Sequence, residues 1–479
     1  MNNGVMLQTF EWFSPADGSF YRTLAEQAND LASKGITAVW MPPAAKGTSD
    51  QDVGYGNYDY WDVGEFDQKG TVRTKYGTRE ELTRCIAALH TQNISVYADM
   101  VFNHKGGADA TETFQAVEVD PDDRTRDIGE ARDIDGWTAF TFPGRGGRYS
   151  GFTWHYVHFN GVDTDAKTGA HGIFRILGEN KYWSSDTDTE SGNFDYLMAA
   201  NIDYAHPDVA EELTRVCDFM IDTFGYDGFR YDALKHISRG LIDRLSLYVL
   251  QKHPAFYLVG EYWKYDEGTI NYYLEQTDYR IQLFDVPLHF RLREASNNAE
   301  FDLRTVFDGT LVAEHPQKAV TFVDNHDSQP GQALESFVEP WFKEIAYALI
   351  LLRQDGYPCV FQGDYTGYGD GSFDGIPAQL DALLTARQQY AWGDQTEYFQ
   401  APQLIGWVRH GDETHPHKLA VVISTGDAAT LTMAVGPQHA GKPYRDVSGK
   451  NEPVVIDGEG NGAFTVAPGA VTYWTDAQA

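Results

Sequence analysis

Three short apolar runs of this chain each deliver a carboxylate: GFRYD ends at Asp232, YLVGE at Glu261 and VTFVDNHD at Asp327. Cleavage of a glycosidic bond asks for an acid that protonates the leaving oxygen, a carboxylate that attacks or shields the sugar carbon, and a further anion that steadies the charge between them. Each acid alone is equally what a helix cap or a surface ion pair offers, and it is their recurrence in similar settings that carries the reading. Arg230 precedes Asp232 by two residues, on the same face of a strand, where a guanidinium favours an ionised, oriented carboxylate. Glu261 must instead be protonated at work. Its apolar neighbours Val259 and Trp263 favour a pKa raised toward about 6 to 7.

Strand-like runs occur at 5–10, 36–41, 94–102, up to Asp232, up to Glu261, 282–285, 319–324 and 358–361. Helical spacing falls between them at 21–34, after Thr78 with Glu81 completing a capping box, at Pro207–Phe224, and near 237–251, 339–353 and 376–392. This βαβα grammar predicts an α/β fold, a (β/α)8 TIM barrel formed by 1–102 and 206–392. Residues 103–205 break the rhythm with Gly-, Asp- and aromatic-rich sequence, including the strand-like pieces FTWHYVHF and GIFRIL, and are expected to form an inserted, irregular β-rich subdomain. Residues 393–479 alternate with period two between Gly and Pro turns, which predicts a C-terminal all-β sandwich. Its Trp407, Tyr444 and Trp474 read as core aromatics. In such a barrel the chemistry gathers at the carboxyl ends of the strands, where Asp99, Asp232, Glu261 and Asp327 all fall.

The 37 basic against 70 acidic residues give a formal charge of −33, which repels phosphate backbones and anionic lipid. Neither nucleic acid nor a membrane is an expected partner, and no apolar run reaches the roughly 18 residues of a membrane span. Cys85, Cys217 and Cys359 form no CxxC pair, so neither a disulfide framework nor a zinc site is indicated. The N-terminal MNNGVMLQTFEWF has no basic or apolar leader character. A cytoplasmic monomer is the expectation, with a trimmed secreted protein as the alternative.

Four stretches, DMVFNH (Asp99 to His104), GFRYDALKH (Gly228 to His236), GEYW (Gly260 to Trp263) and FVDNHD (Phe322 to Asp327), together resemble the α-amylase family of glycoside hydrolases, nearest to its bacterial liquefying and cytoplasmic members. The opening QTFEWF, VGYGNYDYWDVGEFDQKG and GYPCVFQGD look like the same family. The resemblance implies retaining endo-hydrolysis of α-1,4 bonds in starch, glycogen or maltodextrins, with Asp232 as nucleophile, Glu261 as acid/base and Asp327 as stabiliser. It places Tyr55, His104 and His326 around the sugar at the scissile bond, Arg230 beside the nucleophile, and Lys235, His236 and Trp263 on the leaving-group side. Asn103, Asp195 and the backbone oxygen of His236 match the family's calcium ligands. Asn201 stands where secreted relatives usually offer an aspartate, and Asn160 and Ser184 replace further acids. The expectation is therefore weak calcium, a monovalent cation or no metal, and no organic cofactor. An exo-acting maltooligosaccharide-forming hydrolase or a transglycosylase shares the same motifs. A non-catalytic carbohydrate-binding protein on this barrel would be expected to have lost a carboxylate, and all three are present. Metal-dependent hydrolysis is disfavoured because no HxH or clustered ligand set falls on the strand ends.

Overall fold

The computed structural model describes residues 3–477. Eight parallel strands close a barrel in chain order: β1 (Met6–Gln8), β2 (Ala38–Trp40), β3 (Ser95–Met100), β4 (Gly228–Tyr231), β5 (Tyr257–Gly260), β6 (Gln282–Phe284), β7 (Ala319–Phe322) and β8 (Tyr357–Phe361). β8 returns to β1 in the register Met6 opposite Cys359. These strands are short and almost wholly apolar because helices cover one face and side chains fill the other. Helix Phe20–Ser33 buries Leu24, Ala28 and Leu31 as its spacing predicts. Helix Arg79–Thr91 opens on the Thr78/Glu81 capping box, and helix Pro207–Phe224 ends at Gly225 in the left-handed region, φ 75°. The run 345–352 lies inside or next to helix Lys343–Leu351 and is buried throughout. Helices Glu267–Gln276 and Val286–Asn297 complete the wall after β5 and β6; neither is marked by the sequence pattern, since their polar positions blur the helical period. Among the described residues no helix is long and apolar enough to cross a membrane.

Between β3 and β4 a six-stranded antiparallel sheet runs His104–Lys105, Ala200–Ile202, Phe159–Asp165, Ala170–Ile176, Ala110–Val119 and Arg132–Ala139. The piece FTWHYVHF is not one strand. Trp154 makes only an isolated bridge to Phe140, and Tyr156–His158 is a 3-10 turn closed by the His155 N–H on His158 Nδ1 at 3.0 Å. The long hairpin of Ala110–Val119 with Arg132–Ala139 escaped the pattern because polar Thr111, Thr113, Gln115, Arg132 and Asp133 share its exposed positions with Trp137, which blurs the apolar alternation.

After the last barrel helix, Pro377–Tyr390, a six-stranded sheet and the two-stranded pair Ala429–Ala434 with Asn461–Val466 form the C-terminal β layers. Trp407, Tyr444 and Trp474 are all 0% exposed within them, and Trp407 Nε1 donates to Leu352 O at 3.1 Å, joining these layers to the barrel. Replacing the capping residue, Thr78→Ala, is expected to lower stability by about 1 kcal/mol, read as a shift of the urea midpoint at constant slope.

Candidate active site

The β3–β4 register sets Asp99 opposite Arg230 at the carboxyl end of the barrel. Arg230 Nη1 donates to Asp99 Oδ1 at 2.8 Å and Oδ2 at 3.1 Å and to Asp232 Oδ1 at 2.6 Å, while Nη2 donates to Glu261 Oε2. The guanidinium is fully buried and lies 4.7 Å from the Trp40 ring centre. Asp99 Oδ2 also accepts from Trp40 Nε1 at 3.0 Å and Tyr55 OH at 2.8 Å. One permanent cation thus serves three carboxylates, an arrangement that low dielectric makes stiff.

Burial pushes Glu261 up to about 8 against the pull of Arg230, and the charges of Asp232 and Asp327 add to the rise. Burial and the Asp232 charge push Asp327 up to about 7. Burial raises Asp99 to about 6, with Arg230 and the Tyr55 hydroxyl working in the opposite direction.

Asp327 leaves β7 through a braced loop. Asn325 Oδ1 accepts from the Asp327 N–H at 3.0 Å and the Ser328 N–H at 2.8 Å, and Ser328 Oγ donates to Asp324 Oδ1 at 2.9 Å. Behind the loop the buried Lys343 bridges Asp324 and Asp364 at 2.5 Å each, and Tyr347 OH donates to Asp364 Oδ2 at 2.8 Å. His326 accepts from Gln8 Nε2 on Nδ1 at 2.9 Å, which leaves the proton on Nε2, 3.3 Å from Asp327 Oδ2. Burial holds His326 and His104 neutral.

Tyr55 stacks on His326, 5.0 Å between ring centres and 5° between planes, and Trp12 stacks on Tyr55 at 6.3 Å and 1°. His104 Nε2 donates to Tyr55 O at 2.7 Å. On the opposite side, Ala233 takes the left-handed conformation, φ 49°, and begins the turn Leu234–His236. A Cβ at Gly260 would sit 2.1 Å from Leu234 Cδ1, so this turn packs on β5 only because residue 260 is glycine. Lys235 reaches Glu190 Oε2 at 2.7 Å and lies over Phe194. His236 Nδ1 donates to Phe194 O at 2.7 Å, and Trp263 packs on His289 and Phe322. Sequence reasoning missed Gln8, Trp12, Trp40, Lys343, Asp364 and Glu190. Gln8 and Trp12 carried a signal in the QTFEWF stretch and Asp364 in GYPCVFQGD; the other three carried none.

The four residues expected at a cation lie together. Asp195 Oδ2 accepts from Asn160 Nδ2 at 2.7 Å and the Ser184 N–H at 2.8 Å, and Oδ1 accepts from Asn201 Nδ2 at 3.2 Å. Asn201 Oδ1 is buried without a partner. The Asn103 amide lies 3.3 Å from Asp195 O and 3.1 Å from His236 O, with its other end 3.2 Å from His104 Nδ1. Neutral His104 protonated on Nε2 needs an N–H at Nδ1. Turned to meet that requirement, the Asn103 amide would set Oδ1 beside the two carbonyls, and three facing oxygens suit a cation. The donor set therefore fits a hard cation in type, with one carboxylate to hold it. A separate trio, His158, His206 and Asp208, approaches to within 4.8 Å. It fits a metal poorly, because backbone N–H groups already occupy Nδ1 of both imidazoles, leaving a proton on each Nε2.

Residues 22–397 match the family model described as alpha amylase, catalytic domain. An α-amylase of Geobacillus stearothermophilus is 48% identical over 98% of this chain and 87% of its own length. The cytoplasmic α-amylase of Escherichia coli (strain K12) is 41% identical over 99% of both chains. A glucan 1,4-alpha-maltohexaosidase of Bacillus sp. (strain 707) is 47% identical over 99% of this chain and 92% of its own. A crystal structure of an Anoxybacillus α-amylase superposes with a TM-score of 0.67 at 16% identity, covering 99% of this chain and 97% of that one.

Lys343→Met leaves Asp324 and Asp364 buried without their cation and is expected to cost about 3–5 kcal/mol near neutral pH. Both carboxyls are raised by burial. Without Lys343 they sit higher still, so protonation relieves the defect and the loss against wild type shrinks as pH falls from 8 to 5. Urea unfolding at the two pH values checks the sign.

Proposed function

The chain belongs to the α-amylase family of glycoside hydrolases, and from that premise we propose that it hydrolyses internal α-1,4-glucosidic bonds of starch, glycogen or maltodextrins with retention at the anomeric carbon. The observation that carries the reading is the shared guanidinium: Asp232 holds Nη1 of Arg230 and Glu261 holds Nη2. Two carboxyls bridged by one guanidinium are held close, which favours the short-separation chemistry of about 5–5.5 Å that forms a covalent intermediate over the class that leaves room for water between them.

Asp232 Oδ1 is tied to Arg230, which leaves Oδ2 to attack the anomeric carbon. Glu261 Oε2 is tied likewise, so Oε1 carries the proton that passes to the glycosidic oxygen as the carbon–oxygen bond breaks. The ester on Asp232 is then opened by water. Glu261, now a carboxylate, takes one water proton, the hydroxyl joins the anomeric carbon and Asp232 regains its charge. Asp327, beside the His326 Nε2–H, faces the ring during both steps and strengthens its hold as positive charge develops. Tyr55, its ring parallel to those of His326 and Trp12 beside it, supplies the platform for that sugar ring. Lys235, His236 and Trp263 border the departing chain.

Asn103, Asp195, Asn201 and the His236 carbonyl would hold a cation that ties the inserted sheet to the turn after Asp232. With Asp195 as the sole anion among them, binding is weak for calcium and suits a monovalent ion. The likeness to the E. coli relative, named a cytoplasmic enzyme, supports a cytoplasmic location.

Three outcomes follow from this assignment. Asp232→Asn should lose at least about a thousandfold in reducing-end release from soluble starch, roughly 4 kcal/mol of barrier, while still binding maltodextrin. A loss under tenfold would sink the nucleophile assignment, and early accumulation of one short product rather than a rapid fall in chain length would favour exo action. Because Glu261 works protonated and is pushed up to about 8, activity should fall as pH rises through the neutral to mildly alkaline range. A basic limb near the ordinary glutamate value of about 4.3 would contradict the acid role. Exhaustive chelation should leave kcat within twofold and move Tm by only a few degrees, whereas collapse of the fold would reveal a tightly held divalent ion.

A further inference from the structure

A continuous aromatic strip leaves the barrel mouth on the leaving-group side. His289 and Phe322 are buried at its inner end, stacked 5.1 Å apart with planes nearly parallel, and Trp263 packs on both at 5.5 and 6.3 Å. Phe290, half-buried in helix Val286–Asn297, meets Trp263 edge-on at 5.9 Å. Tyr265 meets Phe290 edge-on at 5.6 Å and is 55% exposed. Exposure thus rises outward along the strip, which is how a track for an amphipathic chain is graded, the rings giving apolar faces and the outermost a phenolic hydroxyl.

The residue between Trp263 and Tyr265 points elsewhere. Lys264 Nζ bonds Asp188 at 3.2 Å and Glu190 at 3.1 Å, and the Lys264 N–H donates back to Tyr262 O at 2.9 Å, a tight turn that sends Trp263 and Tyr265 to the same neighbour. Asp266 then caps helix Glu267–Gln276 through the Thr269 N–H at 2.8 Å, fixing the backbone just after Tyr265. A hydrophobic residue in that position ordinarily staples onto the fourth helical residue, here Ile270. Ile270 is already fully buried, and Tyr265 leaves more than half its surface to solvent.

We propose that Tyr265, with Phe290 behind it, extends the binding cleft beyond Trp263 and holds glucosyl units of the departing chain farther from the scissile bond, so that it favours long α-glucans over short ones. The proposal rests on the glucan-hydrolase reading above. Chains too short to reach Tyr265 gain nothing from it, whereas long chains do.

The test compares wild type, Tyr265→Ala and Tyr265→Trp on amylose and on maltotetraose, and follows the first cuts in maltooctaose labelled at its reducing end. Tyr265→Ala should lower the ratio of kcat/KM for amylose to that for maltotetraose about fivefold, and the first labelled products should become shorter because chains bind with fewer units on the leaving-group side. Tyr265→Trp should restore both. An unchanged ratio and unchanged first cuts in Tyr265→Ala would overturn the extension while leaving the active-site assignment standing. So would an equal loss on both substrates. A wild type inactive on both would overturn that assignment and the extension with it.

Discussion

Arg230 is a charge that cannot be neutralised by losing its proton, sealed at the top of the barrel. Burying such a group is tolerable only if anions meet it with good geometry, and Asp99, Asp232 and Glu261 do so from three adjacent strands. The dependence runs both ways. Without the guanidinium the carboxylates would face one another across a dry space, and without them it would lose the partners that offset its desolvation. Much of the surrounding structure serves this contact: Trp40 lies against the guanidinium, Tyr55 and Trp40 complete Asp99, and the β3–β4 register brings Asp99 opposite.

That constraint also separates the acids by task. Asp99 spends both oxygens on Arg230, takes two further donors on Oδ2 and is wholly buried, so it presents no oxygen to the cleft. Asp232 and Glu261 each spend one oxygen and keep the other. Asp327 lies outside the guanidinium's hydrogen bonds and depends on the loop braced by Asn325, Asp324 and Lys343. The buried Lys343 with Asp324 and Asp364 repeats, one layer back, the same economy of one cation shared among acids.

The parts of this architecture written in local pattern were legible in the sequence. The eight barrel strands appeared as apolar runs because both of their faces are covered, and Arg230 declared itself through its two-residue offset from Asp232. Thr78 and Glu81 marked a helix start because a capping box is a contact three residues long. What stayed hidden depends on partners far along the chain: Gln8 reaches His326 across 318 residues and Lys343 serves a loop on another strand. No local period encodes which strand ends become neighbours around a closed barrel. The piece FTWHYVHF misled for a related reason, since aromatic alternation resembles a strand whether or not a side chain such as His158 folds the backbone into a turn. Tyr265 was likewise indistinct, an aromatic residue whose meaning lies in the exposure of its ring.

The pairing of β3 with β4 has a cost in assembly, because Arg230 and Asp99 are 131 residues apart in the chain. Loop-closure entropy grows only logarithmically with length, yet contacts of such separation slow folding. The inserted sheet shortens the problem. Its ends are pinned together by the Ile202 N–H on Asn103 O at 3.0 Å and by the pairing of His104 with Asn201. Once that sheet has formed from its own neighbouring hairpins, the chain leaves it beside the point where it entered, and the segment that β4 must close is little more than helix Pro207–Phe224. A hundred-residue insertion thereby behaves in folding as a short crossover, and the guanidinium finds its carboxylates as if the barrel had never been interrupted.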